Sequence, residues 1–193
     1  MRFGIMAMQL EALVPQGVPA GQIMARIMSF EHAGLAKGLF DKGFNPIELG
    51  GDLEMFLPNV FNVESVEKLA ALKSEGLGYT LHLPLWSVEP STPLTPVRKG
   101  SVEAVVQTIK ATLPIEPEVY VLHATGALAA EFYNMRISEI ARTLILRQFQ
   151  NGARDSIKAI LAETGLPSRR LAIETIEFPL DLTLELAEEF DLS

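Results

Sequence analysis

Cysteine is absent from the 193 residues. That excludes disulfides, thiolate ligands and thiol nucleophiles, and it suits the reducing cytoplasm. Basic charge is also scarce, with 16 Lys and Arg against 24 Asp and Glu and a formal charge of −8. Affinity for nucleic acid comes largely from phosphates neutralised by clustered cations. Here Arg98-Lys99 and Arg169-Arg170 are isolated pairs, so no nucleic-acid partner is expected. No apolar run approaches the roughly 18 residues of a membrane span. The segment MRFGIMAMQLEALVP has neither the basic start nor the long apolar core of a secretory signal, so a membrane role is not expected either. Phosphate-cradling loops of the GxGxxG or GxxxxGK[ST] type do not occur.

What is present is a globular composition, 48% hydrophobic and 21% charged, and one domain spanning 1–193 is expected. Short β-rich runs alternate with helical stretches. The expected strands are Phe3–Met8, Pro46–Leu49, Gly78–Leu83, Val119–His123 and Leu171–Ile176. Between and after them, helical spacing covers 22–39, Val63–Ser74, Val97–Thr112, 138–164 and 182–190, with Gly76 and Gly165 as expected stops. Strands joined through helices run parallel, because the crossover returns the chain to its starting end. The fold class is therefore α/β, either an open parallel sheet or a (β/α)₈ barrel. A barrel needs about 250 residues, and five units are visible, so length by itself favours the open sheet.

The informative polar residues stand at strand ends. His82 lies one residue short of Pro84, His123 ends VYVLH, and Glu174 lies near the end of LAIETI. Ligands of parallel α/β folds gather at the carboxyl ends of strands, so the three can converge across long sequence separations. Strand alternation puts Thr80 with His82, and Val119 and Val121 with His123, on one face each. Two imidazoles and a carboxylate suit Zn, Mn or Fe as a divalent ion. A lone strand-end histidine is more often a hydrogen-bonded structural residue, and that reading stays open for each one separately. Glu48, before Gly50-Gly51, is a general base, a partner that orients a ligand, or a solvated loop carboxylate. Glu177 stands three residues beyond Glu174 and is a further candidate to orient a ligand. Trp86 can wall a pocket or fill ordinary packing space. Arg98 and Lys99 open a helix, where an anion is favoured, although most such charges are simply solvated. His32, beside Glu31 in a helical pattern, reads as a surface or core-edge residue.

Taken in order, IELGG, YTLHLP, VLHATG and LAIETI resemble the xylose-isomerase-like TIM-barrel superfamily, which includes sugar phosphate isomerases and epimerases and the AP endonuclease type. The resemblance implies a TIM (β/α)₈-type barrel and takes precedence over the argument from length. It implies divalent metal at His82, His123 and Glu174, with Glu48 and Glu174 as catalytic carboxylates. YTLHLPLW, VRKGSVE, VYVLH and LAIETIEFPLDL are similar to one branch of it, the cobamide-remodelling phosphodiesterases. That branch implies phosphodiester hydrolysis in the nucleotide loop of a cobamide. Sugar or sugar-phosphate isomerisation or epimerisation is the alternative activity, and a non-catalytic binding module a third reading. Two departures accompany the resemblance. IET stands where many relatives have Asn after the Glu, and relatives continue into a sixth strand carrying an Asp and His ligand pair. The expectation is thus an incomplete barrel of five strand–helix units, with a small-molecule substrate and with open sheet edges that favour self-association.

Overall fold

The computed structural model describes residues 2–7, 16–57, 60–175 and 178–193. Met8 and Ile176, expected in the first and fifth strands, lie outside the described residues, as does Glu177. The strands are β1 (Ile5–Met6), β2 (Ile47–Gly50), β3 (Tyr79–His82), β4 (Val119–His123) and β5 (Leu171–Glu174). The α-helices among the described residues are α1 (Ala20–Met28), α2 (His32–Phe40), α3 (Val63–Ser74), α4 (Thr95–Thr112), α5 (Ala127–Asn134), α6 (Glu139–Thr164) and α7 (Leu180–Phe190).

Strand order in the five-stranded sheet follows chain order, β1-β2-β3-β4-β5, and the registered neighbours are parallel. A doubly wound sheet reverses its strand order at a switch point. No reversal occurs here. Right-handed crossovers that always advance in one direction wind as a barrel does.

Side-chain alternation gives each strand two unlike faces. On β2 and β3, Ile47, Leu49, Tyr79 and Leu81 are 0–1% exposed, whereas Glu48 and Thr80 are only half-buried. On β4 and β5, Tyr120, Leu122 and Leu171 are fully buried, and Val119, Val121 and Ala172 are half-buried. The apolar set packs under helices, and the other face carries Glu48, Thr80, His82, His123 and Glu174. A parallel sheet covered on both faces would read as continuous apolar runs. These strands instead keep one polar-bearing face.

Backbone contacts gather the chain into two compact units. The first comprises Met1–His82 and Ala111–Glu118. Its core contains Leu53, Leu69, Leu77 and Ile115 beside the β2 and β3 residues, and the Tyr79 hydroxyl donates to Leu69 O at 3.0 Å. Helix α3 starts at Asn62, whose side chain accepts from Ser65 N at 2.9 Å, the usual way to satisfy an orphan amide at a helix start. The second unit comprises Leu83–Lys110 and Val119–Ser193. Its core includes Val105, Ile109, Ala153, Ile157 and Ile160. A side cluster of Ala129, Leu146, Phe149, Phe178 and Leu182 joins α5, α6 and α7. Helix α6 opens on Ser138 and stops at Gly165, whose φ of 65° is a left-handed turn that favours glycine.

One helical expectation needs correction, and one helix lies outside every expected element. The stretch 22–39 is not one helix: α1 ends at Met28 and α2 begins at His32, with Glu31 extended between them. Ser29 Oγ turns back to bond Arg26 O at 3.0 Å, and the break allows Phe30 and His32 to turn inward. The segment Ala127–Asn134, outside every expected element, forms α5. Its start is held from outside by Glu89, a partner 37 residues away that local spacing does not reveal.

Candidate metal centre

His123 is the last residue of β4 and Glu174 the last of β5, and the parallel register pairs them directly. The separation from His123 Nε2 to Glu174 Oε2 is 3.5 Å, with the imidazole 3% exposed and the carboxylate 56%. Two ligands about 2.1 Å from a tetrahedral ion are separated by about 3.4 Å along the polyhedron edge. The observed gap therefore fits two adjacent coordination positions on one cation. His82 ends β3, in register with Gly50 of β2, and is 6% exposed. One ligand atom from each of His82, His123 and Glu174 can be chosen so that all lie within 4.8 Å of one another. The donor set of two nitrogens and one carboxylate oxygen suits a borderline divalent ion, with positions left for water or substrate.

Glu48 lies one step below Gly50 on the β2 face that carries His82 on β3. It pairs in register with Thr80, whose hydroxyl donates to Glu48 Oε2 at 3.0 Å. That bond aims the carboxylate along the polar face and leaves lone pairs for a proton or a substrate hydroxyl. Glu48 is thus an oriented strand residue and not a solvated loop carboxylate.

The loops after the two histidine strands are held firmly. Leu83 N, directly after His82, donates to Val121 O at 2.9 Å. Glu89, in the loop before α4, accepts from Gly126 N at 2.9 Å and Leu128 N at 3.1 Å, and Ser91 Oγ donates to it at 2.7 Å. One carboxylate thereby caps α5 and ties the Pro-rich loop to the chain just beyond His123. The same loop is braced from below, where Ser156 Oγ of α6 donates to Pro90 O at 2.6 Å. Gly152 of α6 approaches so closely that a Cβ there would lie 2.2 Å from Ser91 O. Sequence reasoning passed over Glu89 and Gly152. The only available signal was a carboxylate within the proline-rich stretch and a glycine inside a helical pattern.

The remaining candidates separate from this centre. Trp86 is half exposed and lines a cavity of about 750 Å³ with Leu85, Val88, Leu94, Val97 and Leu128. Arg98 is committed to structure: Nη1 donates to Thr92 O at 2.9 Å, and Nη2 lies 3.4 Å from Asp155. Lys99 follows on α4 and is exposed. His32 is neither at the surface nor at the core edge but 1% exposed. Its ring stacks on Phe61 and meets Phe30 edge-on, both with centroids at 5.1 Å. Burial lowers its pKa from the usual 6.5 to about 4, so the imidazole is neutral. No helix among the described residues is long and apolar enough to cross a membrane.

Neither family models nor the curated proteins gave a match to this chain. Solved structures did. The chain is similar to a D-tagatose 3-epimerase-like protein, with 15% identity and a TM-score of 0.57 over 91% of this chain and 52% of that one. It is similar to endonuclease IV from Thermus thermophilus, at 13% identity and TM-score 0.60, over 98% of this chain and 59% of that one. It is also similar to the apo form of 3-keto-D-glucoside 4-epimerase YcjR from E. coli, at 16% identity and TM-score 0.59, over 100% of this chain and 65% of that one. The chain therefore spans between half and two thirds of the length of these structures. The parallel strands in chain order, the polar-bearing face and these likenesses together make its fold that of an incomplete TIM-type barrel of five strand–helix units.

Proposed function

We propose that the chain carries the metal-holding part of an enzyme acting on a small sugar or sugar phosphate, by isomerisation or epimerisation. The observation that carries the reading is the oriented Glu48 carboxylate on the face that also bears His82. His82, His123 and Glu174 are the residues that would hold a divalent ion, and their spacing fits one. Such an ion supplies Lewis acidity to a substrate oxygen when bound. Glu48 would take a proton from a substrate carbon and, in isomerisation, return it to the neighbouring carbon. In epimerisation a second carboxylate, Glu174, would serve the opposite face of the same carbon. Thr80 keeps that carboxylate in one orientation. Glu89 keeps the loops beyond the two histidines in place, as a positioning residue.

Three tests follow the chemistry. Zn²⁺ or Mn²⁺ titration should show one site, weakened by about 100-fold or more in His123→Ala, because removing a ligand exceeds the roughly 10–100-fold effect of changing the groups behind it. Sugars and sugar phosphates incubated in D₂O should gain solvent deuterium at carbon. That exchange should vanish in Glu48→Gln while metal affinity persists. Deuterium incorporation that survives Glu48→Gln would remove the proton-transfer role.

A second reading, hydrolysis of a phosphodiester such as the nucleotide loop of a cobamide, draws on the likeness to endonuclease IV and on the apolar cavity beside Trp86. It uses the same ligands but needs an activated water instead of carbon-proton exchange. Turnover of bis(p-nitrophenyl) phosphate without deuterium incorporation into sugars would select it.

A further inference from the structure

The carboxyl end of β2 carries a buried carboxylate that the reading above leaves without a role. Beyond Gly50 the chain turns through a short 3₁₀ helix, Gly51–Met55, which packs against β3 within the first unit. Gly51, Asp52 and Leu53 are buried in that turn, whereas Met55 and Phe56 are exposed. Asp52 is only 2% exposed. Burying an ionised carboxylate is costly unless it is paired or hydrogen-bonded. A side chain that serves only the amides of a turn can do so from the surface, as the exposed Asn62 does at the start of α3. Capping by itself therefore does not account for the burial of Asp52.

The cations of the first unit do not meet that need. Arg2, Lys37, Lys68 and Lys73 hold other carboxylates, and Arg26 and Lys42 are exposed. Among the unit's described residues the buried imidazoles are His32 and His82, and neither ring nitrogen of His32 has a hydrogen-bond partner. His82 stands opposite Gly50 in the register, so Asp52 follows two residues beyond that pairing, at the same end of the sheet. His82 has the converse need. An imidazole that presents one nitrogen to an ion carries its N–H on the other, and at 6% exposure water has little access to that N–H. Carboxylates are among the usual acceptors for the outward N–H of a metal-ligating histidine. The donor atoms that converge belong to His82, His123 and Glu174 and not to Asp52, which suits a place behind the imidazole.

We infer that Asp52 is a positioning residue whose carboxylate accepts the outward N–H of His82, fixing the tautomer and the plane of that ring. The inference rests on the reading of His82 as a metal ligand, but the pairing itself can be tested without metal. Long-range ¹H–¹⁵N correlation NMR of the metal-free protein at mildly alkaline pH reads the His82 tautomer directly. The wild type should show one tautomer, with a slowly exchanging ring N–H and a cross-relaxation peak to the Asp52 methylene. Asp52→Asn retains an acceptor oxygen and should keep that tautomer, whereas Asp52→Ala should populate both. Zn²⁺ affinity should fall by about 10–100-fold in Asp52→Ala and by less in Asp52→Asn. Both tautomers in the wild type, or no peak to Asp52, would overturn the inference. So would a tautomer that Asp52→Ala leaves unchanged, since a carboxylate that merely supports the turn would have that result. A tautomer locked by Asp52 in a protein that takes up no Zn²⁺ would uphold the pairing and remove the metal reading instead.

Discussion

Acidification should destabilise the first unit through His32, and the size of the effect follows from its burial. The ring sits between Phe30 and Phe61 with no anion paired to it among the described residues, and desolvation lowers its pKa to about 4. In the unfolded chain the same imidazole titrates near 6.5. Between those values the unfolded state binds the proton and the folded state does not, so stability falls as pH falls. The contribution is complete above about pH 6.5 and is lost progressively down to about pH 4. A difference of about 2.5 pH units corresponds to about 3 kcal/mol at most, of which about 2 kcal/mol is already gone by pH 5. Urea unfolding from pH 7 to pH 4.5, monitored for wild type and His32→Phe, isolates the term, because every other titrating group is common to both. The variant should lose about 2 kcal/mol less stability than wild type between pH 7 and pH 5. The His32 Cε1 proton should show an NMR titration midpoint near 4. Parallel pH profiles for the two proteins, or a His32 midpoint near 6.5, would refute the reasoning.

Other perturbations test the supports of the proposed metal centre. Glu89→Ala removes the acceptor for Gly126 N and Leu128 N and should cost about 1–2 kcal/mol in thermal unfolding, as loss of a helix cap does. Metal affinity should fall with it, because the chain beyond His123 loses its tether. Gly152→Ala would gain about 1 kcal/mol in helix propensity, yet its Cβ would meet Ser91 O at 2.2 Å. Backbone cannot yield as a side chain does, so a net loss of about 1–3 kcal/mol in chemical denaturation is expected. Thr80→Val removes the hydroxyl that orients Glu48. Deuterium exchange into substrate should slow by about tenfold, a loss of about 1.4 kcal/mol, with metal affinity, read by Mn²⁺ titration, unchanged.

Much of the fold was legible in residue order because the signals were local. Val63–Ser74 and Val119–His123 form the elements expected, between the same residues, since helical apolar spacing and a β-rich run bounded by turn residues each act over a few positions. Gly165 ends α6 as expected, in the left-handed turn that glycine permits. The choice between an open doubly wound sheet and barrel winding was different. Chain length favoured the former, whereas the order β1 to β5 without reversal is a property of how crossovers stack, which no local pattern encodes.

The same division holds for the sites. The sequence by itself determined that His82, His123 and Glu174 stand at the carboxyl ends of strands, because alternation and turn residues mark those ends. Only tertiary structure decided the 3.5 Å approach of His123 to Glu174, since the register of β4 against β5 joins residues far apart in the chain. His32 makes the contrast sharpest. Its helical neighbourhood suggested a surface or core-edge position, yet the break at Ser29–Glu31 and the distant Phe61 bury it. Burial depends on which surfaces meet, and the titration and hydrogen-bonding needs of an imidazole follow from burial, so neither can be read until the chain has folded.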